Sequence, residues 1–373
     1  MTTRLGVGAV LRDGRIVPGD LLVADGRVAG FLDAPGDPAL IAAPGLLDLQ
    51  VNGAHGVDVL TAEQDALERL EERLLADGVT GWQPTLITAP EAMTLAALDR
   101  LASVATGARE DRPHLLGVHL EGPFLAPQRL GVHPPEHRRD PEPGLAARLT
   151  ASPLVRTVTL APELPGALAL VADLVSRGIL VSIGHTDADA VTAEAAFDAG
   201  ARTVTHLGNA MRPFAPRDPG VLGTALARDD VVVQLIADPH HLAPQTIRLA
   251  VRAARGRWVL VTDAVAAAGL ADGASMLGDV PVLVEGGAVR RADGTLAGSA
   301  LSLLGAIRHA VALGIDPADA LTAASTTPAR LLGRDDLGHL AVGARADAIV
   351  LDRDLALTRV LRDGRVVAEG AGA

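Results

Sequence analysis

Short apolar runs alternate with amphipathic stretches through the middle of the chain. Eight runs are rich in Val, Leu and Ile, and most are followed by a segment whose apolar positions have helical spacing. The runs are GLLDLQV, VTGWQPTL, HLLGVHL, VRTVTL, GILVSIG, RTVTH, VVVQLIAD and RWVLVTDA, and the helix candidates include 61–77, 90–106, 165–177, 187–199, 243–254 and 299–313. This pattern predicts an α/β fold with a (β/α)₈ barrel at 44–335. A doubly wound sheet is the alternative, although no Gly-rich dinucleotide fingerprint follows any strand.

The two ends of the chain have a different pattern, in which short strands alternate with tight turns. Hairpin signals occur at Asp13-Gly14, Asp25-Gly26 and Asp363-Gly364. Each end is too small to bury a core alone, so 1–43 and 336–373 are predicted to pair into one small β-sandwich domain. A further hairpin is predicted at 276–298, inserted after the last barrel strand.

Composition excludes several kinds of chemistry. The 373 residues include no Cys and no Tyr, and every one of the 33 basic residues is Arg. A thiol nucleophile, a disulfide, a Cys-ligated metal, a Schiff base, a Walker A loop and a carbamylated lysine between two metals are therefore excluded. Catalysis must depend on Asp, Glu, His, Ser, Thr, Arg or a metal ion.

Charge limits the range of partners. The formal net charge is −12, and both nucleic acid and an anionic membrane surface favour a basic face, so neither is expected as a partner. The first residues carry charges within their apolar stretch and form no signal-peptide core. We therefore expect a cytoplasmic protein.

Polar side chains follow most of the predicted barrel strands, at the end where barrel active sites lie. They are Gln50, Asn52, Glu121, His185, His206, Asp238, His241 and Asp263. Two His and one Glu form a three-ligand metal site with an open position for water, which is typical of a catalytic metal. Asp263 then suits a general acid and base. Taken singly, Glu121 also suits an ion pair, His185 a helix entry, His206 a core position and Asp263 a turn.

A second group of residues suits a phosphorylated sugar. The loop HLGNAMRPFAPRDPGVLG supplies Asn209, the backbone amide of Ala210 and the guanidinium of Arg217. Arginine binds phosphate with two parallel hydrogen bonds, although Arg217 alone also suits a solvated surface position. His133 lies in a loop soon after Glu121 and is a candidate contact to the substrate.

At this point the chain resembles the N-acetylglucosamine-6-phosphate deacetylase family of the amidohydrolase superfamily. The resemblance covers essentially the whole chain. It is most specific at the segment HLEGPF and at the segment THLGNAM, in which a His is followed by Asn-Ala-Met. Further matching segments follow in the family's order: APGLLDLQVNGAHGVDV, IGHTDAD, FAPRDPGVLG, IADPHHL, VTDAVAAAG, LAGSALSLLGAIRH, TTPARLLG and GHLAVGARADAIVLD. The resemblance implies a hydrolase of amino-sugar catabolism or cell-wall sugar recycling, which converts N-acetyl-D-glucosamine 6-phosphate into D-glucosamine 6-phosphate and acetate.

The resemblance also implies roles for individual residues. Glu121, His185 and His206 become the metal ligands and Asp263 the catalytic acid and base. The substrate residues become Asn209, Ala210, Arg217 and His241 at the phosphate end, with a looser role for His241 at the acetyl carbonyl, and His133 at the sugar. Arg217 is implied to reach across from the partner subunit of a homodimer.

The first barrel strand departs from the superfamily's His-x-His pattern. It ends in Gln50-Val51-Asn52, and amides are poorer zinc ligands than imidazoles. We therefore predict one divalent ion per subunit, with Gln50 and Asn52 at a vestigial second-metal position. Zinc is the default for this site, and iron, cobalt and manganese are alternatives. Open functional alternatives are a deacetylase of N-acetylgalactosamine 6-phosphate or an N-acyl amino acid, and a non-catalytic barrel.

Overall fold

The computed structural model describes residues 2–107, 111–278 and 280–370. The chain begins with six short strands. They are β1 (Thr3–Arg4), β2 (Val7–Arg12), β3 (Arg15–Pro18), β4 (Asp20–Ala24), β5 (Arg27–Leu32) and β6 (Asp37–Pro44). Of these, β2–β3 and β4–β5 are antiparallel hairpins at the predicted turns, whereas β6 pairs with β2 in parallel.

The middle of the chain alternates strands and helices. The strands are β7 (Leu46–Val51), β8 (Gly53–Ala54), β9 (Val57–Asp58), β10 (Val79–Ile87), β11 (His114–Leu115), β12 (Val118–Glu121), β13 (Val155–Leu160), β14 (Leu180–Ile183), β15 (Thr203–Val204), β16 (Val232–Ile236) and β17 (Trp258–Val261). The helices are α1 (Gln64–Ala76), α2 (Glu91–Thr106), α3 (Pro143–Leu149), α4 (Ala167–Ser176), α5 (Ala190–Asp198), α6 (Gly220–Ala227) and α7 (Pro244–Ala253).

Eight of these strands form the predicted barrel. The order is β7-β10-β12-β13-β14-β15-β16-β17, and every pair on this path is parallel. The seam between β17 and β7 has an isolated bridge, Val51 to Ala264, in place of a ladder. Buried Asp48 supports this seam, because its carboxylate accepts hydrogen bonds from the Thr262 amide at 3.2 Å and the Thr262 hydroxyl at 2.7 Å. The barrel is thus nearly closed.

The barrel helices present an apolar stripe to the strands. Helix α1 buries Leu67, Leu70 and Leu74, which share one helical face, and keeps most of its charged residues toward solvent. All six predicted helices are present. Helix α6 was not predicted, because its sequence GVLGTALA has no polar face from which a period could be read. None of the helices in the described ranges is long and apolar enough to cross a membrane.

The segment after β17 is larger than the predicted hairpin at 276–298. It forms a four-stranded antiparallel sheet, which we call the insert. The small residues of GASML and LAGS gave no alternating apolar pattern, which is why the outer strands were missed. The elements are β18 (Gly273–Leu277), β19 (Val280–Glu285), β20 (Ala288–Arg290) and β21 (Leu296–Ser299), followed by α8 (Leu303–Ala312), α9 (Pro317–Ala323) and α10 (Thr326–Leu331).

The chain ends by returning to the first strands, through β22 (Ala348–Leu351), β23 (Leu357–Arg362) and β24 (Arg365–Glu369). These join β6, β2 and β3 in a six-stranded sheet of order β24-β23-β22-β6-β2-β3, which packs on the sheet β1-β4-β5. The predicted sandwich from both termini is therefore confirmed. Each predicted Asp-Gly turn has positive φ at both residues, as hairpin turns of this kind require. The domain boundaries at 43/44 and 335/336 stay a prediction.

A buried ion-pair cluster centred on Asp347 joins the sandwich to strand β11, which pairs with barrel strand β10. The Asp347 carboxylate lies 2.7 Å from His114 Nε2 and 3.2 Å from Arg362 Nε, and it accepts a hydrogen bond from the Asp363 amide. Burial acts to raise the pKa of Asp347, but the His114 hydrogen bond and the Arg362 charge hold it well below its usual range. The carboxylate is therefore ionised in the folded protein.

Replacing Asp347 by Asn is expected to destabilise the protein by about 3–5 kcal/mol, because the Arg362 side chain, only 3% exposed, loses its counter-charge. The measurement is the midpoint of thermal unfolding at neutral pH. Asp336→Asn is the matched control, because the Asp336–Arg334 pair is partly solvated and is worth less than about 1 kcal/mol. Equal midpoints for the two variants would contradict the assignment.

Candidate active site

Three predicted ligands meet at the carboxyl ends of the barrel strands. His206 Nε2 lies 3.0 Å and His185 Nε2 lies 3.2 Å from Glu121 Oε1, and the two Nε2 atoms are 3.1 Å apart. All three residues are buried. Burial acts to raise the pKa of Glu121, but its interactions with the two neighbouring histidines hold it well below its usual range.

The donor set of this cluster fits a metal ion. His185 Nδ1 lies 2.8 Å from the carbonyl oxygen of Arg129, an acceptor, so Nδ1 carries the proton and Nε2 presents a lone pair. That lone pair faces a carboxylate oxygen and a second imidazole nitrogen. Electron-pair donors that converge in a buried site, without enough protons between them, are satisfied by a cation. Among the described residues, this is the group of His and acidic side chains with the geometry to hold one.

The backbone is strained where the site residues leave their strands. His185, His206 and Asp263 have φ of 49°, 31° and 50°, in the left-handed region that non-glycine residues rarely adopt. Such conformations cost free energy and persist where the surrounding structure enforces them, commonly at functional sites. Gly122, directly after Glu121, has φ of 92°, and a Cβ there would lie 2.3 Å from Thr88 Oγ1. Only glycine fits this turn.

Asp263 is held by Gln50 and Asn52, the two residues that the sequence analysis assigned to a vestigial second-metal position. The amide of Gln50 donates to Asp263 Oδ1 at 2.9 Å and that of Asn52 at 2.7 Å. Within the described residues Oδ2 has no hydrogen-bond partner, and Asp263 lines the central cavity. Burial, together with the charge of Glu121, raises the pKa of Asp263 to about 6. The geometry thus fixes one carboxylate oxygen and leaves the other for proton transfer.

His133 lies beside the cluster with a defined tautomer. Its Nδ1 accepts a hydrogen bond from the Thr88 amide at 3.2 Å, so the proton resides on Nε2, which is 3.8 Å from Glu121 Oε2. Burial lowers the pKa of His133 to about 3, so the ring is neutral. A neutral imidazole that offers an N–H to the cavity suits hydrogen bonding to a substrate oxygen. The sequence analysis did not identify Thr88.

Asp238, in the loop after β16, and His119, on β12, support the site. Asp238 accepts a hydrogen bond from the His241 amide and lies 2.7 Å from His241 Nδ1, which turns His241 Nε2 away from the carboxylate. The sequence Asp-Pro-His-His places Asp238 and His241 three positions apart, and this spacing is the sequence feature that indicates their pairing. One layer below Glu121, buried His119 lies 2.7 Å from Thr159 Oγ1. Burial lowers the pKa of His119 to about 4, which makes it a neutral part of the barrel interior.

A cavity of about 420 Å³ joins these groups, a volume suited to a small ligand. Among the sequence-predicted site residues, Gln50, Asp238 and Arg217 do not line it. The amide of Gln50 donates to Asp263 and to Glu121, Asp238 holds His241, and Arg217 is exposed on its loop. The cavity wall also includes residues that the sequence analysis missed, from the ends of strands β10 and β16, from the loop after β12 and from the insert. They are Ile87, Gln128, Arg129, Gly131, Val132, Ile236, Leu277, Arg290, Gly294, Thr295, Leu296 and Gly298.

The chain is similar to known proteins over nearly its whole length. Residues 41–367 match the amidohydrolase family. The N-acetylgalactosamine-6-phosphate deacetylase of Escherichia coli O157:H7 is 39% identical over 354 residues, covering 93% of this chain and 94% of that protein. The N-acetylglucosamine-6-phosphate deacetylase of Homo sapiens is 38% identical over 387 residues, covering 96% of this chain and 93% of that protein.

A solved structure agrees with these relatives. A mutant of the N-acetyl-D-glucosamine-6-phosphate deacetylase from Mycobacterium smegmatis, in complex with N-acetyl-D-glucosamine-6-phosphate, superposes with a TM-score of 0.92 and 36% sequence identity. The match covers 98% of this chain and 99% of the other. The chain therefore belongs to the amidohydrolase family, in the branch that contains the amino-sugar 6-phosphate deacetylases, as the sequence resemblance indicated.

Proposed function

We propose that this enzyme hydrolyses N-acetyl-D-glucosamine 6-phosphate to D-glucosamine 6-phosphate and acetate. The observation that carries the proposal is the convergence of Asp263 and the Glu121–His185–His206 cluster on one cavity. The relatives, 36–40% identical over most of the chain, include the human enzyme named for this reaction. The chemistry is amide hydrolysis, and the substrate is a phosphorylated amino sugar.

Glu121, His185 and His206 would hold one divalent ion. When bound, such an ion supplies a Lewis acid for the acetyl carbonyl and lowers the pKa of the attacking water. The donor set of two imidazoles and one carboxylate suits zinc, which we propose as the native metal. The same donors also bind iron, cobalt and manganese, so elemental analysis of the purified protein decides the identity.

The side chains of the protein then carry out the proton transfers and orient the substrate. Asp263 Oδ2 accepts a proton from the attacking water, while the amides of Gln50 and Asn52 hold Oδ1 in place. The oxygen of the water forms a bond to the acetyl carbon, and the carbon–nitrogen bond breaks. Asp263 returns the proton to the departing nitrogen, which leaves as the amine of D-glucosamine 6-phosphate. His133, through Nε2–H, orients the sugar, and His241 contacts its phosphate end.

One observation favours a second candidate substrate. The N-acetylgalactosamine-6-phosphate deacetylase of Escherichia coli O157:H7 is as similar to this chain as the human enzyme is. The two sugars differ only in the configuration of one ring hydroxyl. The same cluster and the same Asp263 serve either epimer, so the choice depends on the cavity wall.

An acetate-release assay on both sugar phosphates tests these proposals together. We expect release from N-acetyl-D-glucosamine 6-phosphate that stops on chelation and returns when a divalent metal is added. A higher kcat/KM for the galacto epimer would replace the first candidate by the second. Metal-loaded protein that releases acetate from neither sugar phosphate would contradict both.

We also propose that the enzyme is a homodimer in which Arg217 serves the partner's site. The support is its placement, since Arg217 is exposed, does not line the cavity of its own chain, and lies three residues after Phe214, whose ring is 56% exposed. An exposed aromatic residue close to an exposed arginine is typical of an interface. The cytoplasmic location predicted from the sequence stays a prediction.

A further inference from the structure

The insert forms one wall of the substrate cavity and is fixed to the barrel mouth. The Gly278 amide donates to Asp58 Oδ2 at 2.7 Å, and His240 Nε2 lies 3.1 Å from the Gly286 carbonyl oxygen. At its base the Ser299 amide donates to the Asp263 carbonyl at 2.9 Å. Side chains of the insert therefore have a defined position relative to Asp263.

Two arginines line the cavity, and they differ in whether a carboxylate pairs with the guanidinium. Arg129 donates through Nε and Nη2 to Asp187 Oδ1 at 2.9 and 2.7 Å, so its charge is compensated. Arg290, at the end of β20, donates through Nη1 to the Gly294 carbonyl at 2.8 Å. No carboxylate in the described ranges lies within ion-pair distance of Arg290. Arg290 therefore lines the cavity, at an exposed position, with a charge that no carboxylate of the described ranges pairs.

The hairpin turn of the insert holds the Arg290 side chain in a conformation that suits the binding of an anion. Gly294 has φ of 86°, and its amide donates to the Arg291 carbonyl, which closes the turn between β20 and β21. The Arg290 guanidinium donates one N–H to the Gly294 carbonyl in the turn, and its other N–H groups lie in the same plane, where none has a carboxylate partner in the described ranges. Guanidinium donors in this arrangement match the oxygens of a phosphate.

We propose that Arg290 binds the 6-phosphate of the substrate from the same chain, an inference that rests on the proposed function. A phosphate monoester dianion needs cationic partners, and the chain's own Arg217 does not line this cavity. Arg290 shares the cavity with Asn209 and His241, the candidates for the phosphate end. It thereby makes a phosphorylated sugar preferred over the unphosphorylated one.

Kinetics of Arg290→Gln test the proposal. We expect the KM for N-acetyl-D-glucosamine 6-phosphate to rise about ten- to a hundredfold with little change in kcat, because a charge-assisted contact is lost. The inhibition constant of inorganic phosphate should rise by a similar factor. Arg290→Lys, which keeps the charge, should recover part of the loss. Arg291→Gln is the matched control, since Arg291 pairs with Asp293 and does not line the cavity.

Mixed dimers separate Arg290 from Arg217. Mixing Arg217→Gln with Asp263→Asn chains should restore activity at low substrate concentration, because one site then combines an intact Asp263 with the partner's intact Arg217. Mixing Arg290→Gln with Asp263→Asn should restore none, because Arg290 acts within its own chain. An active wild-type enzyme in which Arg290→Gln changes neither KM nor phosphate inhibition would overturn the proposal. Equal loss of kcat with phosphorylated and unphosphorylated sugar would also overturn it, since it would indicate a purely structural insert.

Discussion

Asp263→Asn is expected to lower kcat for acetate release about 10²–10⁴-fold, the range that general acid–base catalysis contributes. The asparagine side chain cannot accept the proton of the attacking water or return it to the departing amine. Gln50 and Asn52 still donate to the oxygen at this position, so the local geometry is retained. The measurements are steady-state kinetics, metal content and the unfolding midpoint of the purified variant.

Metal content and unfolding midpoint should match those of the wild type, which assigns the loss to the missing proton carrier. Asp229→Asn is the control for the same charge change, because exposed Asp229 precedes β16 on the barrel face away from the cavity. It should retain wild-type activity. A folded, metal-loaded Asp263→Asn variant with near-normal turnover would contradict the role of Asp263.

The barrel and the sandwich were predictable because their signals are local. The Val- and Leu-rich runs are long enough to predict each of the eight strands, and the Asp-Gly pairs fix the hairpin turns by their backbone preference. The convergence of Glu121, His185 and His206 followed from topology alone, since the carboxyl ends of barrel strands share one rim. Once the fold class is predicted, residues that are distant in sequence but end successive strands are expected to lie close together.

The supporting contacts of the site were not predictable in the same way. Thr88, which fixes the tautomer of His133, is one of many threonines with nothing in the sequence around it to mark it. Arg290 is one of 33 arginines, and only the placement of the insert over the cavity distinguishes it. The roles of Gln50 and Asn52 changed with the geometry, because both amides donate to Asp263. Such details depend on long-range packing rather than on sequence spacing.

Glu121→Gln is expected to deprive the site of its metal and to lower kcat/KM by at least about a hundredfold. Replacing a residue that merely supports a metal ligand typically costs 10–100-fold in metal affinity or activity, so loss of a ligand costs at least as much. The carboxylate also balances the charge of a cation in a buried site, which a neutral amide cannot do. The measurements are metal content by elemental analysis and the unfolding midpoint with and without a chelator.

A bound ion stabilises the folded state by mass action, so chelation should lower the unfolding midpoint of the wild type and leave that of Glu121→Gln unchanged. This readout is independent of activity. Glu136→Gln, an exposed position on the loop after the same strand, carries the same charge change and should keep both metal and chelator response. A Glu121→Gln protein with one metal per chain would contradict the ligand assignment. If the wild type were fully active and insensitive to chelation, the cluster would hold no ion that the reaction needs, and Asp263 would remain the only chemical group with an assigned role.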